Sequence, residues 1–460
     1  MSNITRQASR PDVQSQDNAS ASGKKTIIEP KVLKGFRDSL PAQEIKKKEI
    51  IHALERNFSS YGFVPIDTPV LEYTEVLLGK GGGETDKQIF RFLDNGGREV
   101  AMRFDLTVPF ARFLALHKNE IVFPFKRFHI NKVWRGENPQ KGRFREFMQC
   151  DFDIVGVDSP SADYEILSMM RSSFDLLGLG NVTFHVAHRG LFNAFLEHLG
   201  VSDDSVEVLR TVDKLRKIGS EAVRSQLTDL TGSVEKADDI LAYINPKESD
   251  GFLARLERLS ELAGNEQEHT HRMRTIYSLL EAAGIASQFV LDPSITRGLD
   301  YYTGIVYETF LDDLPSIGSV CSGGRYNDLA SLYTKDRIPG VGSSIGLDRL
   351  LSALEELGSG ILTEGSSADV LVVVMEESLR PWYHSVGDAL RKLGIRCDVY
   401  LADKKISQQF KYAESNHIPF ALTCGSDEHD AGTFTLKDLR TRETCSGLSL
   451  QQVAQRIRKD

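Results

Sequence analysis

Residues 126–156 read KRFHINKVWRGENPQKGRFREFMQCDFDIVG, and the alternation of polar and apolar side chains predicts two β-strands joined by a loop. Successive side chains on a strand point to opposite faces of the sheet. One face of this pair is therefore apolar and packs on a core. The other face collects Arg127, His129, Asn131, Arg135, Arg143, Arg145, Phe147, Gln149, Asp151 and Asp153.

This polar face has two interpretations. The simpler one is an antiparallel sheet with one face turned to water. Solvated faces are typically covered by scattered Lys, Glu and Thr, whereas this face combines opposite charges with the ring of Phe147. The mixture favours a surface that binds a ligand.

Two neighbouring stretches add polar groups. Residues Glu99–Thr107, EVAMRFDLT, alternate in the same way and predict a third strand with Arg103, Asp105 and Thr107 on its polar face. The segment Gly79–Glu84 has four glycines in six residues but lacks the GK[ST] ending of a nucleotide loop. We expect a mobile lid or turn there rather than a phosphate cradle.

The chain length, cysteine count and net charge limit the class of protein. A chain of 460 residues exceeds one typical domain, and none of its apolar runs approaches the ~20 residues of a membrane helix. The five cysteines form no CxxC pair, which argues against a zinc site and a disulfide framework and indicates a reducing cytoplasm. The net charge of −9 argues against nonspecific nucleic-acid binding, although a local basic surface stays possible.

The chain divides by composition. Residues 1–25 are rich in Ser, Asn and Gln and are expected to be a disordered tail. Strand-rich sequence at 26–200 and 271–360 is interrupted by helical spacing at 201–270. A Gly- and Ser-rich linker precedes 368–460, where alternating helices and strands predict a compact α/β domain.

Three motifs lie in the second strand-rich part. Arg297–Gly304 reads RGLDYYTG, and Cys321–Tyr326 reads CSGGRY. Gly340–Leu351 reads GVGSSIGLDRLL, whose GxGxxxG spacing differs from the dinucleotide fingerprint. It predicts a glycine-rich strand that feeds a helix, with Arg349 in the first turn.

Together these segments resemble histidyl-tRNA synthetases, a family of class II aminoacyl-tRNA synthetases. The helix and strand that end at Pro69 are similar to motif 1, Arg135–Gly156 to motif 2 and Gly340–Leu351 to motif 3. The RGLDYY and CSGGRY elements are similar to the two histidine-specific motifs. The resemblance implies an α+β fold: a catalytic core with an antiparallel sheet, a helical insertion and a C-terminal α/β anticodon-binding domain.

The resemblance also implies roles for single residues. Those matching histidine-binding positions are Asp105, Leu106, Thr107, Arg135, Gln149, Asp153, Arg297, Tyr301 and Tyr302. Those matching ATP-binding positions are Arg135, Glu137, Arg143, Phe147 and Arg349. Arg297 and Arg135 match the catalytic positions, and no residue is indicated as a metal ligand. For Asp153 the alternative is a structural pair with a neighbouring arginine.

The implied partners are ATP with Mg²⁺, L-histidine and tRNA(His), without a membrane. A homodimer is expected on Phe63–Leu71, where two prolines mark a strand that needs cover. The alternative is the synthetase-like regulatory subunit of ATP phosphoribosyltransferase. That subunit usually lacks the C-terminal domain and the ATP arginines, whereas this chain has the domain and keeps Arg135, Arg143 and Arg349.

Overall fold

The computed structural model describes residues 28–79, 88–140, 142–245, 251–296, 302–358 and 366–459, with the backbone alone at 216 and 217. Four predictions therefore lie outside the described residues: the tail at 1–25, most of the Gly79–Glu84 loop, and the positions of Arg297 and Tyr301.

The main domain alternates short strands with helices. In chain order its elements are α1 Pro41–Ser60, β1 Val64–Pro65, β2 Leu71–Tyr73, α2 Thr74–Leu78, β3 Arg91–Leu93, β4 Glu99–Met102, α3 Thr107–His117, β5 Phe125–Trp134, β6 Glu146–Val155, α4 Pro160–Leu176, β7 Val182–His188, α5 Arg189–His198, α6 Ser205–Val212, α7 Leu215–Ile218, α8 Ser220–Thr231, α9 Val234–Ile244, α10 Phe252–Leu262, α11 Glu268–Ala282, β8 Phe289–Leu291, β9 Ile305–Leu311, β10 Cys321–Tyr326, β11 Gly340–Gly346 and α12 Leu347–Glu356.

An eight-stranded sheet forms the centre of this domain, in the order β1-β5-β6-β11-β10-β9-β7-β8. The predicted pair is the hairpin β5–β6, in which Arg127 faces Asp153 and His129 faces Asp151. Pairing is antiparallel except at the two edges, where β1 runs parallel to β5 and β8 parallel to β7. The α+β prediction is confirmed, and the sheet is mixed at its edges.

The apolar face of β6 packs on the main core. Phe152 and Ile154 are buried against α1 and α4, and the rings of Phe58 and Phe152 lie 4.9 Å apart. The predicted start of α4 is confirmed, because Ser159 accepts a hydrogen bond from the N–H of Ala162 and Pro160 is the first helical residue.

The third predicted strand is shorter than expected. β4 ends at Met102 and α3 begins at Thr107, so the strand prediction for residues 103–107 is wrong. The Asp105 carboxylate accepts the N–H of Val108 at 3.1 Å and so satisfies a donor that a helix start leaves open. In the same way β6 begins only at Glu146, and Arg143 lies in a turn with Gln140.

The helical insertion contains α6 to α10, within the predicted 201–270. The expected boundary at residue 270 falls inside α11, which packs on α4 and α10. None of the helices in the described ranges is both long and apolar enough to cross a membrane.

The C-terminal domain has its own five-stranded sheet, in the order β13-β12-β14-β15-β16. Its elements are β12 Val370–Val372, α13 Arg380–Lys392, β13 Cys397–Val399, α14 Ile406–Ser415, β14 Phe420–Thr423, α15 Ser426–Ala431, β15 Phe434–Asp438, β16 Thr444–Leu448 and α16 Leu450–Lys459. The predicted α/β character is confirmed. The edge strand β16 was missed because its sequence, TCSGL, shows no clear alternation.

Candidate active site

The polar face of β5 and β6 is buried. Arg127 is 0% exposed, and His129, Asp151 and Asp153 are each 2% exposed. Phe110 of α3 covers them, with its ring 4.0 Å from the guanidinium carbon of Arg127. The interpretation of a face turned to water is therefore wrong for these positions. Their charges are buried, so each needs an ion-pair or hydrogen-bond partner to offset the loss of hydration.

Asp153 has two strong partners. Arg127 Nη2 forms an ion pair with Asp153 Oδ2 at 2.7 Å, and the Tyr326 hydroxyl donates to Asp153 Oδ1 at 2.5 Å. Burial raises the pKa of Asp153, while Arg127 and Tyr326 act in the opposite direction. The pair with a neighbouring arginine is thus present, and a further role for Asp153 in binding histidine stays a prediction.

Glycines make room for this arrangement. Gly342 of β11 faces Asp153, and a Cβ added there would lie 1.9 Å from Asp153 Oδ1. Tyr302, a predicted histidine-binding residue, is half-buried, and a Cβ on Gly324 would lie 2.9 Å from its ring. Tyr302 also contributes to raising the pKa of Tyr326, after burial and the Asp153 charge, so these three groups lie near one another.

Asp105, Thr107 and Gln149 are brought to the same face. The Thr107 hydroxyl donates to Asp151 Oδ2 at 3.4 Å, and Gln149 Nε2 donates to Ser344 Oγ at 2.8 Å. Burial raises the pKa of Asp105 to about 6 and that of Asp151 to about 7. The side chain of Leu106, the third predicted residue of this turn, is fully buried.

The predicted ATP-binding residues line one pocket beside this face. The pocket holds about 750 Å³ of space and is lined by Arg135, Glu137, Gly142, Arg143, Phe144, Phe147, Gln149, Ser319, Val320, Cys321, Ser322, Ser344, Gly346, Asp348 and Arg349. Arg135 Nε donates to the Phe104 carbonyl at 3.0 Å, and its guanidinium carbon lies 5.1 Å from the Phe147 ring. Arg349 donates to the Ser319 carbonyl. Three arginines and an aromatic ring suit phosphates and a purine base.

A small cavity of about 20 Å³ lies between the insertion and the far edge of the sheet. Its walls are mostly apolar, with Leu191, Phe192 and Tyr243 among them. Because it lacks the clustered cations of the larger pocket, it does not suit a nucleotide.

Sequence reasoning missed Arg37 and Asp348. Arg37 Nη2 forms an ion pair with Asp348 Oδ1 at 2.6 Å and lies 4.0 Å from the Phe144 ring. The N–H of Met148 donates to Asp348 Oδ2 at 2.6 Å. The segment before α1 is thereby fixed to the pocket wall. The charged stretch KGFRD at 34–38 was the available signal.

Protein ligands for a metal ion are not clustered. Within the described ranges, no group of three or more His, Cys, Asp or Glu side chains could hold one.

Comparisons with known proteins cover both domains. A family profile described as histidyl-tRNA synthetase matches residues 35–350, and one described as an anticodon binding domain matches residues 369–460. A histidine–tRNA ligase of Treponema denticola is 56% identical over 405 residues, 87% of this chain and 90% of that protein. One of Rhodopirellula baltica is 45% identical over 425 residues, 91% and 95%. The crystal structure of histidyl-tRNA synthetase from Nostoc sp. PCC 7120 matches with a TM-score of 0.83 at 32% identity, covering 94% of this chain and 100% of that one.

Proposed function

The chain belongs to the histidyl-tRNA synthetase family, and from that premise we propose how its residues carry out the reaction. Its activity is that of an aminoacyl-tRNA ligase, which activates histidine with ATP and transfers it to tRNA(His). The regulatory-subunit alternative is less supported, because the relatives that match both domains are ligases.

One observation carries the assignment of the site: a buried face rich in acceptors adjoins a pocket lined by arginines. Gln149 and Ser344 line the pocket and flank Asp151 of the buried face. An amino acid with its ammonium among the acceptors would extend its carboxylate toward the cations. Arg135 lines the pocket and also lowers the pKa of Asp105, so it lies at the junction of the two regions.

The first step joins two anions. A carboxylate oxygen of histidine bonds to the α-phosphorus of ATP, and the bond from that phosphorus to the leaving pyrophosphate oxygen breaks. Arg135, Arg143 and Arg349 line the pocket. The first two are proposed to offset the developing charge, and Arg349 to bind the terminal phosphate. Phe147 stacks on adenine, and Glu137 contacts it. Arg297, outside the described residues, is proposed to contact the α-phosphate and the histidine carboxylate.

Histidine is held through both ends. Asp105, Thr107 and Gln149 bind its α-ammonium. Asp153 keeps lone pairs beyond those used by Arg127 and Tyr326, since a carboxylate offers about four acceptor sites. It therefore accepts a ring N–H while Tyr302 meets the other nitrogen. Leu106 and Tyr301 complete the set by their match to the family.

The family uses ATP with a divalent metal, and we propose that the ion is Mg²⁺ and enters as part of the MgATP substrate. Phosphate oxygens are the ligands that Mg²⁺ takes from a nucleotide, and they are proposed to carry the ion into the pocket.

The C-terminal domain is proposed to contact the tRNA anticodon. Three exposed lysines make no ion pair within the described part of the chain: Lys404 and Lys405, which precede α14, and Lys411, in the middle of that helix. Arg440 and Arg442 pair with Asp438 and Glu414. The lysines are therefore better placed for phosphates than the arginines.

A homodimer in the cytoplasm is proposed. Strand β1 is an edge strand of the central sheet, and Val64 is 47% exposed. The adjoining small sheet β2-β4-β3 exposes Leu71, Tyr73, Phe92 and Leu93. An apolar edge of this kind needs cover, which a second copy would provide.

Histidine-dependent exchange of pyrophosphate into ATP tests the adenylation assignment. The wild-type protein is expected to catalyse it, and Arg143→Gln to lower kcat/KM for ATP by about 10²-fold, the usual effect of one lost preorganised donor. The control is Arg98→Gln, which removes a surface arginine paired with Asp94 at 2.7 Å. Exchange that needs no histidine, or equal effects of the two substitutions, would contradict the assignment.

A further inference from the structure

Asp151 is a buried carboxylate on the polar face, within the motif 2 segment, to which the family resemblance gives no role. It is 2% exposed and faces His129 on one side and Ser344 on the other. Its Oδ2 atom accepts the Thr107 hydroxyl at 3.4 Å, and a side-chain hydrogen bond with Ser344 acts to lower the pKa of Asp151. Its Oδ1 atom has no hydrogen-bond partner in the part of the chain that the structure describes. Such a buried polar atom requires an explanation.

Two further buried acceptors near Asp151 are also unused. Asp105 Oδ2 and Gln149 Oε1 likewise lack partners among the described residues. The hydrogen bond from Gln149 Nε2 to Ser344 commits the amide nitrogen of Gln149 and leaves its oxygen as the open end. Buried N–H groups of Arg127 and Arg103 are also without hydrogen-bond partners among the described residues, but none of them reaches these three acceptors. The three acceptors therefore match an ammonium group, which carries three donors and no acceptor.

The charged groups around Asp151 also favour a positively charged ligand. Arg127 already pairs with Asp153, and the fully buried Arg103 donates to the carbonyls of Thr68 and Lys132. His129 lies opposite Asp151, but burial and the nearby arginines lower its pKa to about 3, so it is neutral near pH 7. The charge of Arg127 lowers the pKa of Asp151, but Asp151 forms no ion pair among the described residues, so a ligand with a positive charge would supply a direct partner.

We infer that Asp151 is a further substrate-binding residue: its free oxygen, together with those of Asp105 and Gln149, accepts a hydrogen bond from the α-ammonium of histidine. This inference rests on the proposed histidine site and adds to it a carboxylate that selects for the ammonium. A ligand without the ammonium would leave the three acceptors unpaired in a closed site, which costs binding more than a missing surface contact does.

The test compares ligands that differ only at the two ends of the amino acid. Histidine, histidinol (ammonium but no carboxylate) and 3-(imidazol-4-yl)propionate (carboxylate but no ammonium) are titrated calorimetrically into the full-length protein. The variants are Asp151→Asn, Asp151→Ser in case the first does not fold, and Glu308→Gln. Glu308 is a matched control, because it is 7% exposed and lies in the same row across the sheet, opposite Ser322.

Loss of Asp151 is expected to weaken the binding of histidine and histidinol by about 10- to 100-fold, the range of a charge-assisted hydrogen bond. The affinity for the propionate should change by less than about threefold. Glu308→Gln should not change the ratio between histidine and the propionate. Equal weakening of all three ligands, or no change in any, would overturn the inference. Failure of the wild-type protein to support histidine-dependent pyrophosphate exchange would instead refute the proposed function, so the two failures are distinguishable.

Discussion

Gly342→Ala tests the arrangement around Asp153 with a single methyl group. The added Cβ would lie 1.9 Å from Asp153 Oδ1 and 2.9 Å from the Phe152 carbonyl oxygen. An ordinary contact is about 3.4 Å, so the carboxylate must move by roughly 1.5 Å. It cannot move freely, because Arg127 holds one oxygen at 2.7 Å and Tyr326 the other at 2.5 Å.

The cost follows from those two contacts. Breaking a buried ion pair destabilises a protein by about 3–5 kcal/mol, and partial relaxation of the site lowers that figure to roughly 2–3 kcal/mol here. A displacement of about 1 Å in a group that positions substrate lowers the rate by about 10²-fold. We therefore expect the substitution to lower kcat/KM for histidine by about 10²-fold and to leave the KM for ATP nearly unchanged.

Pyrophosphate exchange at varied histidine and varied ATP measures both effects, and thermal unfolding of the full-length protein measures stability. Gly180→Ala is the control, since a Cβ there meets nothing within 4 Å. If the clash with the carboxylate is the main cause, Gly342→Ala should cost less stability in an Asp153→Ala background than in the wild type, because only the contact with the Phe152 carbonyl remains in the double variant. A Gly342→Ala protein with wild-type stability and an unchanged KM for histidine would refute this account of the site.

Three further predictions concern other parts of the molecule. Asp163→Asn should lower the free energy of unfolding, measured by chemical denaturation, by about 3–5 kcal/mol. The substitution leaves Arg325 and Arg272, which pair with Asp163 at 2.7 and 2.6 Å, without their buried counter-charge. A loss of stability as small as that caused by the surface substitution Asp94→Asn would contradict this prediction. The pKa of Asp151 is raised to about 7 from an unfolded value near 3.8, so between these values the folded state holds a proton that the unfolded state has lost. The ligand-free wild type should therefore lose stability relative to Asp151→Asn as the pH rises from 5 to 7. A stability difference that does not change with pH would contradict this prediction. Arg297→Ala should abolish pyrophosphate exchange without unfolding the protein, and near-wild-type exchange by a folded variant would rule out its catalytic assignment.

Local alternation predicted the elements but not what covers them. The parity of Arg127, Gln149 and Asp153 placed them correctly on one face, because a strand fixes side-chain direction every two residues. The burial of that face depends on contacts remote in sequence. Tyr326 reaches Asp153 across 173 positions and Arg37 reaches Asp348 across 311, and no local pattern encodes such pairs.

The error at residues 103–107 has a related cause. Phe104 and Leu106 are both buried, so the apolar positions alternate as they would in a strand. The backbone instead turns into α3, where the carboxylate of Asp105 accepts the N–H of Val108. An Asp-Leu-Thr turn before a helix matches the strand pattern over so short a stretch. Only the caps and long-range pairs distinguish the two.

The glycines of β11 differ in the space that they leave along the polar face. Three glycines of β11 lie on the face of the sheet that carries the buried polar groups: Gly340, Gly342 and Gly346. A Cβ at Gly340 would lie 2.5 Å from the Tyr326 ring, and one at Gly342 would meet Asp153, so protein side chains occupy those two positions. At Gly346 the nearest atoms are 3.8 Å away or more, and this position lines the pocket of the arginines. The GxGxxxG spacing thus reflects close packing beside Asp153 and Tyr326 and open space at the pocket of the arginines.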